Sequence, residues 1–125
     1  MDDFDLQLAE LAEEFELLEQ DALDAIEETA KEVSEEGRAN IKDVGGYQDQ
    51  SGKYRKGFGL EHERNYREAK STLYNKEWRL THLLEDGHMT RDGTTRTQAF
   101  PHWEQTERFM KGEFESRLER RLDEL

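Results

Sequence analysis

The sequence predicts an α+β fold with a long N-terminal helix, a small antiparallel sheet with a short inserted helix and hairpin excursion, and a C-terminal helix. Three observations predict it. Apolar residues recur with a helical period over residues 1–36, the period changes to two near Tyr54, and it returns to helical after Pro101. The length of 125 residues fits a single domain, 1–125.

Residues 1–36 are predicted to form one acidic helix. Neither Gly nor Pro interrupts the segment before Gly37, where we expect the helix to stop. Its outward faces place like charges four residues apart, which weakens an isolated helix, so the helix needs packing to stay formed. Its apolar stripe is spaced alternately by four and three residues, through Phe4, Leu8, Leu11, Phe15, Leu18, Ala22, Ala25 and Thr29.

The charge of the chain is concentrated in this helix. It holds 15 acidic residues and one base, Lys31, whereas residues 37–125 hold 16 acids and 17 bases. Such asymmetry points to a partner or assembly that uses the acidic element. The acidic face either lines a channel of that assembly or meets a basic surface of a neighbouring subunit. The 17 basic residues of 37–125 favour the contact with a neighbouring subunit. The candidate residues for this contact are Arg117, Arg120, Arg121 or the arginines of the sheet.

Residues 43–75 are predicted to be a loop followed by a hairpin. The stretch 43–53 is rich in Gly, Asp and Ser, as loops are. Alternation then begins at Tyr54 and continues through Phe58 and Leu60, and a second strand is expected over about 66–74. The turn between the two strands is expected near residues 63–65.

Residues 76–100 contain a helix over 76–85, closed by Gly87, and then a polar excursion over 88–100 with an Asp92-Gly93 turn. Pro101 is expected to open the last helix, 101–125, because proline is tolerated in a first turn. The apolar face of this helix is predicted to hold Trp103, Thr106, Met110, Phe114, Leu118, Leu122 and Leu125.

Composition excludes several classes of protein. The chain has no cysteine, so disulfides and thiolate metal sites are absent. No apolar run approaches membrane-spanning length, which predicts a soluble protein made in the cytoplasm with no membrane partner. Only 33% of residues are hydrophobic and 39% are charged. The core is therefore thin, and burial is expected to be completed by self-association.

No catalytic signature is present, and the sequence predicts neither an enzyme nor a cofactor. His82, His88 and His102 lie close in sequence, but their spacing is not that of a local metal site, so no metal ligands are expected. Basic and aromatic residues interleave over 53–79, and such a pattern can track a nucleic-acid backbone. A small DNA-binding or regulatory protein using this sheet is therefore the alternative function.

Three stretches together resemble a known family: SGKYRKGF at 51–58, LYNKEWRLTHLLEDGH at 73–88 and AFPHW at 99–103. They are similar to bacteriophage tail-completion or head–tail joining proteins, a family named after the tenth gene product of a lambdoid long-tailed phage. The matching positions are Gly52, Tyr54, Arg79, Leu80, Thr81, His82, Leu83, Leu84, Glu85, Gly87, His88, Pro101 and His102.

The resemblance implies a virion structural protein without catalytic residues. Its copies would form a homo-oligomeric ring at the head–tail junction, beside other neck proteins such as a head-completion protein, a tail terminator or a tail tube. Viral DNA would pass through the lumen without sequence specificity.

Physically, Leu80, Leu83 and Leu84 are expected to anchor the short helix to the sheet, and Gly87 to supply a turn that a bulkier residue would resist. We hypothesise that His82, Glu85, His88 and His102 form a polar cluster that pins the excursion between helices. The excursion itself is long and polar enough to reach a neighbour in the ring.

Overall fold

The computed structural model describes the backbone of residues 3–44, 46–47 and 52–125, and the side chains of these ranges from Leu17 onward. It confirms the α+β class. The elements are α1 (Asp3–Ile41), α2 (Lys53–Lys56), β1 (Phe58–Arg64), β2 (Ala69–Asn75), α3 (Trp78–Asp86) and α4 (Trp103–Asp123). The predicted stripe positions Phe4, Leu8, Leu11 and Phe15 lie outside the described side chains, and part of the predicted loop, Gly45 and 48–51, lies outside the described residues.

Helix α1 has 39 residues, which corresponds to about 58 Å. It runs past Gly37 to Ile41, so the predicted stop at Gly37 was wrong. A Cβ atom at Gly37 would overlap the side chain of Met110, and the glycine therefore lets α4 approach closely. Gly37 therefore allows α1 and α4 to pack closely, and it does not end α1.

Helix α4 packs antiparallel to α1. Met110, early in α4, meets Gly37, whereas Arg121, near its end, donates to the Thr29 hydroxyl at 2.6 Å. Thr106 is fully buried, and Met110, Phe114 and Leu118 are half-buried. Helix α4 begins at Trp103, two residues after Pro101, and the last two members of its predicted face, Leu122 and Leu125, are exposed.

Arginines of α4 and of the sheet neutralise part of the acidic helix within the same chain. Arg117 pairs with Glu36 at 2.5 Å, and Arg64 pairs with Asp24 at 2.6 Å. The hydrogen bond from Arg121 lowers the pKa of Glu32. The sequence analysis assigned these arginines to contacts with a neighbouring subunit. In the structure they lie against α1 of their own chain, at Arg64, Arg117 and Arg121.

The sheet is a single antiparallel hairpin. Its register pairs Phe58 with Asn75 and Arg64 with Ala69, so the loop is 65–68 and the turn predicted at 63–65 is displaced toward the C-terminus. Asn65 causes the displacement, because its side-chain oxygen accepts the backbone N–H groups of residues 67 and 68. This is an Asx turn, which fixes the loop locally.

Tyr54 does not belong to the first strand, contrary to the prediction from alternation. It lies in the helical turn α2, where the N–H of Lys56 donates to the carbonyl of Gly52 at 3.1 Å. Gly52 has φ +75°, a left-handed conformation that glycine adopts without strain. The turn points the ring of Tyr54 into the core.

The core is small and aromatic. Ile41, Tyr47, Tyr54 and Phe58 are buried at its centre. The rings of Tyr54 and Phe58 meet edge to face at 5.1 Å, and those of Tyr47 and Tyr54 at 5.2 Å, a favoured geometry. Around this centre pack four partly buried side chains: Leu73, Leu84, Phe100 and Trp103.

Helix α3 ends at Gly87 as predicted, and a hairpin-like excursion follows, with a bridge between Met89 and Arg96. Only Leu84 of the three leucines packs against the core. Leu80 and Leu83 are 42% and 41% exposed, so the prediction that they anchor the helix was wrong. No helix in the described part of the chain is long and apolar enough to cross a membrane.

Candidate functional site

The hydroxyl of Tyr54 is the centre of a buried junction between α2, α3 and the start of α4. It lies 2.6 Å from Nε2 of His102 and 3.0 Å from the hydroxyl of Thr81, and the indole N–H of Trp103 donates to it at 3.3 Å. Tyr54 and His102 are almost wholly buried. One phenol oxygen thus joins three elements distant in sequence.

The hydrogen-bond pattern assigns the tautomer of His102. Its Nδ1 lies 2.7 Å from the carbonyl of Phe100 and 3.1 Å from a carboxylate oxygen of Glu85, both of which only accept. Nδ1 therefore carries the proton. In this tautomer Nε2 accepts, and the hydroxyl of Tyr54 donates to it.

Glu85 caps the N-terminus of α4 from the neighbouring helix. Its Oε1 accepts the backbone N–H groups of His102 at 2.9 Å and Trp103 at 2.8 Å, and its Oε2 accepts that of Glu104 at 3.0 Å. These groups have no partner inside a helix, and negative charge at this end favours the helix dipole. The last turn of α3 thereby fixes the first turn of α4.

Asn75 and Trp103 also belong to this junction, although neither was predicted as a site residue. Asn75 is buried; its amide donates to the carbonyl of Tyr54 at 2.7 Å and its oxygen accepts the N–H of Glu77 at 2.7 Å. Asn75 could have been predicted from its position between a strand and a helix, because asparagine side chains there form hydrogen bonds with nearby backbone groups. Trp103 carries no comparable local signal.

Chemically, the junction is closed. The polar side-chain atoms of Tyr54, Glu85 and His102 all have hydrogen-bond partners within the chain. Burial raises the pKa of the Tyr54 phenol, so it remains a neutral donor at neutral pH. The arrangement therefore orients helices and presents neither an activated nucleophile nor an open base.

The junction gathers part of the predicted motif. Tyr54, Thr81, Glu85 and His102 meet there, Leu84 packs beside it, and Gly87 ends α3 next to it. The other motif positions lie outside the junction, namely Gly52, Arg79, Leu80, His82, Leu83, His88 and Pro101.

The predicted cluster of three histidines and Glu85 was wrong in two of its members. His82 is exposed, with its ring 6.3 Å from that of Trp78, and the backbone N–H of His88 donates to the hydroxyl of Thr97 at 2.9 Å. Only Glu85 and His102 meet. Within the described ranges, no three His, Asp or Glu side chains are placed to hold a metal ion.

The basic residues of the sheet and of α3 are largely engaged within the chain. Arg64 pairs with α1, and Lys70 pairs with Glu63 at 3.2 Å. The guanidinium groups of Arg67 and Arg79 lie over the rings of Tyr66 and Trp78, at 5.1 and 5.5 Å. Two aromatic residues of the pattern, Tyr54 and Phe58, are buried in the core.

Comparison with protein-family models, with curated proteins and with solved structures finds no match to this chain.

Proposed function

We propose that this chain is a virion structural protein of the bacteriophage neck. It is a ring-forming tail-completion or head–tail joining component, and DNA passes through the lumen of the ring. It acts without catalysis or a cofactor, at the head–tail junction, beside adjoining neck proteins.

The observation that carries the proposal is the closed junction around Tyr54 and His102. The positions that resemble the tail-completion family include four residues of this junction, where they join α2, α3 and α4. A motif that joins helices through buried hydrogen bonds suits a structural protein. It would be out of place in a catalytic centre, which needs polar groups open to a substrate.

The outer surface is consistent with a subunit of an assembly. Trp78, Leu80, Leu83 and Met89 are exposed on α3 and the excursion, in a chain whose core is small. Large apolar side chains that the fold leaves exposed are available for a partner to cover. In a neck, neighbouring subunits and adjoining proteins would cover them.

The net charge of −13 is compatible with DNA passage. A ring of many copies would carry a large negative charge, which repels phosphates and keeps the duplex from adhering to the wall. Contact with DNA in such a ring is therefore weak and independent of sequence.

Electron microscopy of the purified protein, combined with duplex DNA binding at low and physiological salt, tests this function. We expect annular particles and no tight binding of DNA at either salt concentration. A monomer that binds duplex DNA tightly, with an affinity that falls steeply as salt rises, would instead establish the alternative DNA-binding protein.

A further inference from the structure

The apolar stripe of α1 continues beyond the part of the fold that covers it. Along one face of the helix, Ala25, Thr29 and Val33 are 6%, 0% and 3% exposed. One step earlier Ala22 is half-buried, and Leu18 is 53% exposed. The same spacing continues in the sequence to Phe4, whereas α4 ends beside Ala25. At Leu18 the apolar stripe is therefore exposed to solvent.

A mostly apolar groove lies elsewhere on the same molecule. It has a volume of about 430 Å³ and runs between α1, β2 and α4. Its walls include Ala30 and Val33 of α1, Ala69 of β2, and Met110 and Phe114 of α4. A helix that presents Leu and Phe at steps of four and three is the kind of ligand that such grooves bind.

The charges favour this pairing over pairing of two α1 stripes. Residues 4–18 contain five acidic residues and no base, so two such segments side by side would repel each other. Lys70 and Lys111 line the groove together with one acid, Glu107, and Lys70 also pairs with Glu63 at 3.2 Å. The groove is therefore close to neutral and does not repel an acidic segment. Lys111 makes no ion pair with any residue of the described part.

The segment cannot occupy the groove of its own chain. Ala30 lies twelve residues after Leu18 on the same uninterrupted helix, about 18 Å along its axis. A continuous helix cannot fold back onto its own side. The occupant must come from another molecule.

We propose that the segment 4–18 of one copy packs its apolar stripe into the groove of a second copy. Each copy then has one segment and one groove, so the contact is heterologous: it joins two different surfaces and generates a ring when the rotation closes. This inference rests on the proposed function, because it supplies the contact by which that ring would form.

Cysteine cross-linking of the full chain tests the contact, since the chain has no cysteine of its own. Leu11→Cys places a thiol on the predicted stripe, and Ala69→Cys places one in the groove wall. On oxidation the double variant should give a ladder of covalent oligomers. Each single variant alone should give none, and a mixture of the two single variants should give dimers only.

The matched control pairs Glu13→Cys with Thr72→Cys. Glu13 lies about 200° around the helix from Leu11, and Thr72 is exposed on β2. This control should not cross-link. Efficient cross-linking of Leu11→Cys alone would overturn the proposal in favour of paired α1 segments.

Sedimentation of the unmodified protein separates failure of the contact from failure of the function. A discrete oligomer whose double variant forms no ladder would overturn the groove contact and leave the ring standing. A protein that stays monomeric would overturn both.

Discussion

The hydroxyl of Tyr54 donates to Nε2 of His102 at 2.6 Å, across 48 residues of sequence and inside the core. The bond requires the proton of His102 to lie on Nδ1, which the carbonyl of Phe100 and the carboxylate of Glu85 both favour. This pair of side chains thereby fixes the ring orientation of His102, the residue that precedes α4.

Substitution of this pair should reveal strong energetic coupling. Tyr54→Phe and His102→Gln should each lower the free energy of unfolding by about 1–3 kcal/mol, because each leaves a buried polar partner without its bond. The double variant should lose less than the sum, with a coupling energy of roughly 0.5–3 kcal/mol. Chemical denaturation of the four proteins measures it.

The hairpin offers a matched control for that cycle. His62 Nδ1 and the hydroxyl of Ser71 also lie 2.6 Å apart, but this contact is exposed to solvent, with His62 exposed and Ser71 half-buried. The cycle His62→Gln with Ser71→Ala should show coupling below about 0.5 kcal/mol, because water replaces the lost bond. Equal coupling in the two cycles would contradict the role given to the junction.

Two glycines with similar φ should differ in their tolerance of alanine. Gly87 has φ +71° and ψ 172°, a region almost restricted to glycine, and a Cβ there would stand 2.6 Å from the carbonyl oxygen of Thr97. Gly93 has φ +75° with nothing within 4 Å of a Cβ. Gly87→Ala should therefore cost about 3 kcal/mol or more and Gly93→Ala about 1 kcal/mol, measured by thermal or chemical unfolding. A larger loss at Gly93 would refute this explanation.

Valine substitutions at two buried threonines should have different effects on the free energy of unfolding. The hydroxyl of Thr106 is buried with no partner in the described part of the chain, so Thr106→Val should leave stability unchanged or raise it by up to about 1 kcal/mol. The hydroxyl of Thr29 donates to the carbonyl of Ala25 at 2.6 Å and accepts from Arg121 at 2.6 Å. Thr29→Val should cost about 1–3 kcal/mol. Destabilisation by Thr106→Val comparable to that by Thr29→Val would contradict the assignment.

The turn of the excursion should be visible in the titration of Asp92. Hydrogen bonds from the hydroxyl of Thr90, and from the backbone and hydroxyl of Thr94, lower its pKa to about 2. Because the pKa is depressed in the folded protein, the stabilisation is present above the ordinary aspartate pKa and is lost as the pH falls through about 2. NMR titration should find Asp92 ionised at about pH 3, where ordinary aspartates are mostly protonated.

Thr90→Val should raise the pKa of Asp92 more than any other single hydroxyl substitution, because the Thr90 bond is the largest cause of its depression. Thr72→Val, on the exposed side of β2, is the control. An unchanged titration of Asp92 in the Thr90 variant would show that the Thr90 hydroxyl does not lower its pKa.

Local patterns were sufficient to predict the α+β class, the stop of α3 at Gly87 and the turn of the excursion, although α3 begins at Trp78 and not at Lys76. Gly87 and Asp92-Gly93 act through their own backbone conformations, which are readable from residue type. Glu85 and His102 were expected to meet, and they do.

The errors arose where the outcome depends on a partner distant in sequence. Gly37 resembles a helix stop, but its role is set by Met110, seventy-three residues away. Tyr54 fits an alternating pattern, yet its hydroxyl is held by His102 and Thr81. Leu80 and Leu83 show a core-like spacing, but the small core accommodates only Leu84 from α3. Such outcomes follow from packing, which spacing alone does not encode.

Sedimentation velocity of the unmodified 125-residue chain over a wide range of concentrations tests the central claim most directly. The account predicts one discrete species whose mass is a fixed multiple of 14.8 kDa, with no indefinite growth as concentration rises, because a closed ring leaves no unsatisfied segment or groove. A single species of 14.8 kDa at every concentration would contradict it.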